Sequence, residues 1–240
     1  MSDKPQSIVE HLTELRQRIV RSLLAIVVCV GVAVAFAHRA FTFILSTAAS
    51  DPKVPVTLVQ MSFSDAFLTE FKLAVIGGLI LAFPFVLYQA VAFIIPALKP
   101  NERRLLYFGL PFATLLFVAG WAFGWFVVVP ITRGFFIDIA ANAGVGNYIT
   151  PSAYISFILG ICNPLGIAFE LPLVVLILAR IGIVSARLLS RIRKFAFLGI
   201  LILAAVLSPP DVISMSIFLI PLYGLYEFSI ILARIAEKKK

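Results

Sequence analysis

The chain has 240 residues, 61% of them hydrophobic and 13% charged, with a net charge of +8. A soluble domain is nearer half apolar and a quarter charged, so this composition excludes an ordinary soluble globule. The apolar residues fall in blocks of about 20, the length that crosses a ~30 Å bilayer core as a helix, and the alternating ~10-residue segments of a membrane barrel are missing.

The basic residues flank these blocks, which points to a membrane surface and against a nucleic-acid partner. Cys29 and Cys162 lie inside apolar blocks and match no disulfide or metal spacing. His11 and His38 are the only histidines. No GxSxG, HExxH or carboxylate cluster occurs. The chain is therefore read as having no catalytic residues, no metal and no cofactor, and as not being an enzyme.

In chain order, residues 1–18 form a cytoplasmic amphipathic arm. Ser7 to Glu10 fits a capping box that starts a helix at about Ile8. Ile8, Leu12, Leu15 and Ile19 then recur at steps of three and four, which predicts one apolar stripe lying on the membrane surface. Six apolar spans follow, at about 19–37, 73–95, 107–131, 153–179, 195–207 and 213–233. The first run exceeds the apolar core of a signal peptide, although Ala35-Phe36-Ala37 matches a cleavage pattern. Span five, at about 13 residues, reaches only ~20 Å. Ser208-Pro209-Pro210-Asp211 separates it from span six, because neither proline donates a backbone bond. The outer loops are taken as about 35 residues after span one and about 21 after span three. No repeat or linker is visible. The expectation is one all-α polytopic domain over 1–240, with six transmembrane helices, the last two short.

An even number of spans puts both termini on one side. Of the 20 Lys and Arg residues, sixteen fall in the two tails and the loops after spans two and four. Only Arg39, Lys53, Lys72 and Arg133 fall on the other face. The positive-inside rule then assigns both termini to the cytoplasm.

Four features carry polar chemistry. Glu10, Glu14 and Arg18 follow one another at helical-turn spacing on the arm. Glu102 is the lone acid in the basic loop Pro96 to Arg104, where an anion also suits the first turn of a helix. Glu170 lies inside span four between Pro164 and Pro172, where a charge costs at least ~2.5–3.5 kcal/mol; the prolines predict a bent helix. A buried acid of this kind serves a pathway, a partner contact or a structural hydrogen bond. Asp211 sits in a turn, a common place for Asp. On these residues alone, a small transporter with Glu170 as proton relay stays open, although no inverted repeat is present.

Together the segments resemble one family. His11-Leu12-Thr13-Glu14-Leu15-Arg16 is similar to the HLxELR signature of the TatC family, the large multi-span subunit of the twin-arginine protein translocase. Tyr88-Gln89, Phe93, Pro96-Ala97-Leu98 and Glu102-Arg103-Arg104 resemble its first cytoplasmic loop region. Phe169-Glu170-Leu171-Pro172 resembles its buried FEhP motif, and Ser208-Pro209-Pro210-Asp211 its (S/T)PPD turn. The motifs occur in family order from residue 11 to residue 211. Two positions depart from the pattern: Val91 stands where tryptophan is frequent, and no proline occurs around Ser46 to Ala49.

The resemblance implies a prokaryotic cytoplasmic (inner) membrane protein, active in proton-motive-force-driven export of folded proteins. It implies binding of twin-arginine signal peptides through Glu14 and Glu102, with His11, Leu12, Arg16, Phe93 and Arg103 around them. Glu170 and Gln89 become intramembrane polar or partner contacts, and Pro172, Pro209, Pro210 and Asp211 further motif positions. The implied partners are single-span subunits of the TatA and TatB type, the bilayer, and further copies of this chain within a hetero-oligomeric complex.

Overall fold

A computed structural model describes residues 8–49, 57–94, 100–207 and 212–238. They form nine α-helices and one two-stranded ribbon. Five helical stretches are long and apolar enough to cross a membrane: Val9–Ala48, Asp65–Phe93, Gly109–Asn142, Pro151–Arg180 and Met215–Ile235. The chain is an all-α polytopic membrane protein. Its contacts divide into two compact units, residues 1–43 with 67–111, and residues 44–66 with 112–240.

In the first unit, helix α1 (Ile8–Ala49) and helix α2 (Asp65–Ile94) run antiparallel. The pairs His11–Phe93, Arg18–Gln89 and His38–Glu70 step along the two helices in opposite directions. Gly78 sets the closest approach, since a Cβ there would lie 2.5 Å from the Cα of Val30. Large apolar side chains such as Val27 and Val28 stay on the outer surface, as lipid-facing residues do.

The predicted arm begins its helix at Ile8 and runs without a break into the first span. Residues 8–49 form one helix of 42 residues, and Ala35-Phe36-Ala37 lies inside it. Leu12 and Ile19 of the predicted stripe are exposed, as lipid-facing side chains are. The face against α2 carries His11 and Arg18 instead. The partner helix offers polar and aromatic groups to this second face.

In the second unit, α3 (Pro100–Phe123, whose first turns belong to the first unit) continues through a π-helical stretch, Gly124–Val128, into α4 (Val129–Asn142). Pro130 follows the π stretch and has no N–H to give the preceding turn, a usual setting for such a distortion. Helix α5 (Pro151–Ala168) starts on a Thr150 cap, whose hydroxyl accepts from Ala153 N. It packs on the π stretch through Gly124, where a Cβ would lie 3.1 Å from the Cα of Cys162.

Phe169 and Glu170 then interrupt the helix before α6 (Leu171–Ile181). This is the predicted bend, with Pro172 lacking the N–H that the turn below needs. Gly182, at φ 89, closes α6 in a left-handed turn that a side chain would strain. The two-residue strands β1 (Thr57–Leu58) and β2 (Tyr148–Ile149) pair in parallel, a feature absent from the all-helical reading.

Helices α7 (Ala186–Arg191), α8 (Arg193–Leu207) and α9 (Val212–Lys238) complete the chain. Ala179, Ala186, Leu189, Ile230 and Ala233 form the apolar core that holds α6, α7 and α9 together. The helix at predicted span five is short, at 15 residues, and is not among the five stretches long and apolar enough to cross. The final helix is longer than predicted, at 27 residues. Its end is held beyond the apolar block, where the Glu237 carboxylate accepts a bond from Ala186 N at 2.7 Å.

The connections outside the spans are shorter than predicted. Helix α1 runs on to Ala49 before α2 begins at Asp65, and α4 reaches Asn142 before α5 begins at Pro151. Where the family pattern has proline, α1 is uninterrupted, and Thr47 O accepts a 3.4 Å bond from Arg133 Nη1. The turn Ser208-Pro209-Pro210-Asp211 lies outside the described residues.

Candidate functional site

The polar face of α1 and the last two turns of α2 build one site. At helical spacing, His11, Glu14, Leu15, Arg18 and Ser22 share a side of α1. The His11 ring stacks on Phe93, with centroids 4.3 Å apart and planes 17° from parallel. One turn further along, Arg18 Nε donates to Glu14 Oε1 at 3.1 Å, and Nη2 donates to the same oxygen. Arg18 Nη1 reaches Gln89 Oε1 at 3.4 Å. Gln89 is 6% exposed, an amide held inside a helix contact. The Glu14 side chain is 23% exposed, and its Oε2 is buried with no partner among the described residues.

Beside these groups lies a groove of about 420 Å³. Leu15, Ile19, Leu23, Val86, Ala90 and Phe93 make its apolar wall, and Arg18, Gln89 and Ser22 supply its polar positions. A half-buried carboxylate next to an apolar groove can hold a cation attached to an apolar chain. Part of its water has already been removed, which strengthens such a contact.

Of the predicted residues, His11, Glu14, Gln89 and Phe93 come together here. Leu12 and Arg16 are exposed on other faces of α1. Glu102 and Arg103 lie in the first turn of α3, eight and nine positions after α2 ends.

Glu170 belongs to the second unit. It is 8% exposed at the break between α5 and α6, and its Oε1 is buried without a partner among the described residues. Pro172 is fully buried beside it in sequence. Gly120 allows close approach, since a Cβ there would lie 2.7 Å from both Leu165 O and the Phe169 ring. Trp121 Nε1 donates to Asn163 Oδ1 at 3.0 Å on the same helix pair.

Sequence reasoning missed a second intramembrane acid. Glu227 lies within the last span and accepts from Arg193 at 2.8 Å and from Tyr223 at 3.0 Å. Its position inside an apolar block was the available signal. Among the described residues, no group of three or more metal-ligating side chains occurs.

Known proteins resemble the chain along nearly its whole length. The family model for the Sec-independent protein translocase protein (TatC) matches residues 10–221. The chain is a member of the TatC family. TatC of Carboxydothermus hydrogenoformans is 39% identical, covering all of this chain and 98% of that protein. TatC of Escherichia coli is 33% identical over 95% of this chain and 88% of its own length. The crystal structure of the twin-arginine translocase receptor TatC superposes with a TM-score of 0.85 at 32% identity, covering 95% of this chain and 100% of that one. TatC proteins are membrane subunits of a protein translocase. They are transport components and not catalytic enzymes.

Proposed function

We propose that this TatC-family chain reads the signal peptides of folded precursor proteins and binds their paired arginines at Glu14 and Glu102. Arginine presents a planar fork that pairs with a carboxylate through two bonds, and lysine offers only a point charge. The observation that carries the reading is Glu14, half-buried beside an apolar groove and already bonded to a guanidinium. The groove suits the apolar stretch of a signal, and Phe93 stacked on His11 forms its end wall. Glu102 supplies the second acceptor, at the start of the helix that follows α2. The solved relative is itself described as a twin-arginine translocase receptor.

The same reading assigns both termini to the cytoplasm, in the inner membrane of a prokaryote, on the sixteen-to-four division of basic residues. Single-span partner subunits gather on the chain, with Glu170 as a polar contact for a partner helix. Further copies join the complex, and the proton motive force drives transport.

Photocrosslinking in native membranes tests the reading, comparing an Arg-Arg signal peptide with its Lys-Lys version. Adducts near Glu14 and Glu102 that form only with Arg-Arg are expected. Equal labelling by both peptides, or none, would reject the assignment.

A further inference from the structure

The carboxylate assigned to a guest arginine already holds a resident one. Arg18 spends two donors, Nε and Nη2, on a single Glu14 oxygen. Glu14 Oε2 has no partner among the described residues. The remaining Arg18 nitrogen, Nη1, is within 3.4 Å of Gln89 Oε1. Glu14 and Arg18 are one turn apart on a continuous helix, so the pair forms without any ligand.

We propose that Arg18 is a built-in competitor for the signal arginine. In the unliganded protein it occupies Glu14. When a peptide arginine arrives, the Arg18 guanidinium leaves Glu14 and rests on the Gln89 amide oxygen, a group it already touches. This inference rests on Glu14 being a recognition carboxylate.

The exchange has a definite thermodynamic consequence. Every ligand that displaces Arg18 loses the same Glu14–Arg18 contact. Affinity therefore falls by a common factor, and the ratio between ligands is unchanged. Peptides that bind strongly still occupy the site, and weak ones fall below useful occupancy. Arg18 thus sets a threshold. Gln89 lowers the cost of displacement, because a guanidinium leaving one acceptor finds another without returning to bulk water.

The test uses the full chain in nanodiscs and a labelled synthetic Arg-Arg signal peptide, with binding read by fluorescence anisotropy. R18Q is expected to bind about threefold to tenfold more tightly, the gain from removing a partly exposed ion pair. R18K, which keeps the charge but loses the fork, is expected to gain less. R21Q removes an exposed cation one turn away and is expected to change affinity less than about twofold, which separates competition from a general field. Q89L is expected to weaken binding more in the native background than in the R18Q background, an interaction that a merely structural glutamine would not show.

Unchanged or weaker binding by R18Q, or an equal gain from R21Q, would overturn the competitor role. E14Q distinguishes the two levels of argument. Loss of affinity in E14Q with no gain in R18Q rejects the competitor alone. No loss in E14Q rejects the recognition site, and the inference with it.

Discussion

Glu14 and Glu170 are both carboxylates removed from bulk water, but their surroundings differ. Each has one oxygen with no partner among the described residues, and Glu14 also holds an intrahelical cation on its other oxygen. A half-exposed charge pair lies between a rim contact and a fully desolvated one. Glu14→Gln is therefore expected to weaken Arg-Arg peptide binding about tenfold, or ~1.4 kcal/mol. Titration of the variant in nanodiscs gives the number, and native affinity would remove Glu14 from the site.

Glu170 lies in the other compact unit and is proposed to meet a partner helix. Glu170→Ala should reduce crosslinking to a single-span partner while peptide binding persists. A hydrogen bond between membrane helices is worth only ~0.6–2 kcal/mol, so the expected result is a partial loss. Intact crosslinking would end that role. The spacing of Glu14 and Arg18 is legible in the sequence because it is one helical turn. Their link to Gln89 is not, since it joins residues 71 positions apart. The place of Glu227 in an apolar block is legible, but its pairing with Arg193 is not, since the two are 34 residues apart.

At the scale of elements, the site exists because α1 and α2 pack closely, and Gly78 makes that possible. A Cβ at this position would meet the Val30 Cα at 2.5 Å and the Val30 N at 2.7 Å. Those are backbone atoms of a long helix, so the helices themselves must shift. Gly78→Ala is expected to cost about 1–3 kcal/mol, as overpacking does. A lowered Tm together with weaker peptide binding would show that the groove depends on this approach. Unchanged values for both would mean that the helices accommodate the methyl group. The sequence shows Gly77-Gly78 in an apolar block and gives no hint of which neighbour they admit. Helix ends were also hard to place from hydropathy. The apolar block ends near Ala37, but α1 continues to Ala49, since backbone hydrogen bonding outlasts the hydrophobic stretch. The Pro172 bend was readable because proline acts on its own turn.

For the whole molecule, the question is orientation in the bilayer. Hydropathy made most spans legible, and the division of basic residues predicts their direction. Helix α8 is not among the five stretches long and apolar enough to cross. Its 15 residues extend about 22 Å, well short of a ~30 Å core. A thinned bilayer around it, or a hairpin with α9 that turns within the membrane, leaves both flanking segments on the same side. The prediction therefore does not depend on how α8 is accommodated. In a background with Cys29 and Cys162 replaced, a single cysteine at Val145, exposed after α4, should react with an impermeant maleimide from outside intact cells. One at Leu188, exposed in α7, should react only in inverted vesicles. The reverse pattern would invert the chain and turn Glu14 away from the cytoplasm, where precursor signals are presented. The recognition site would then fail even if every side-chain contact were correct.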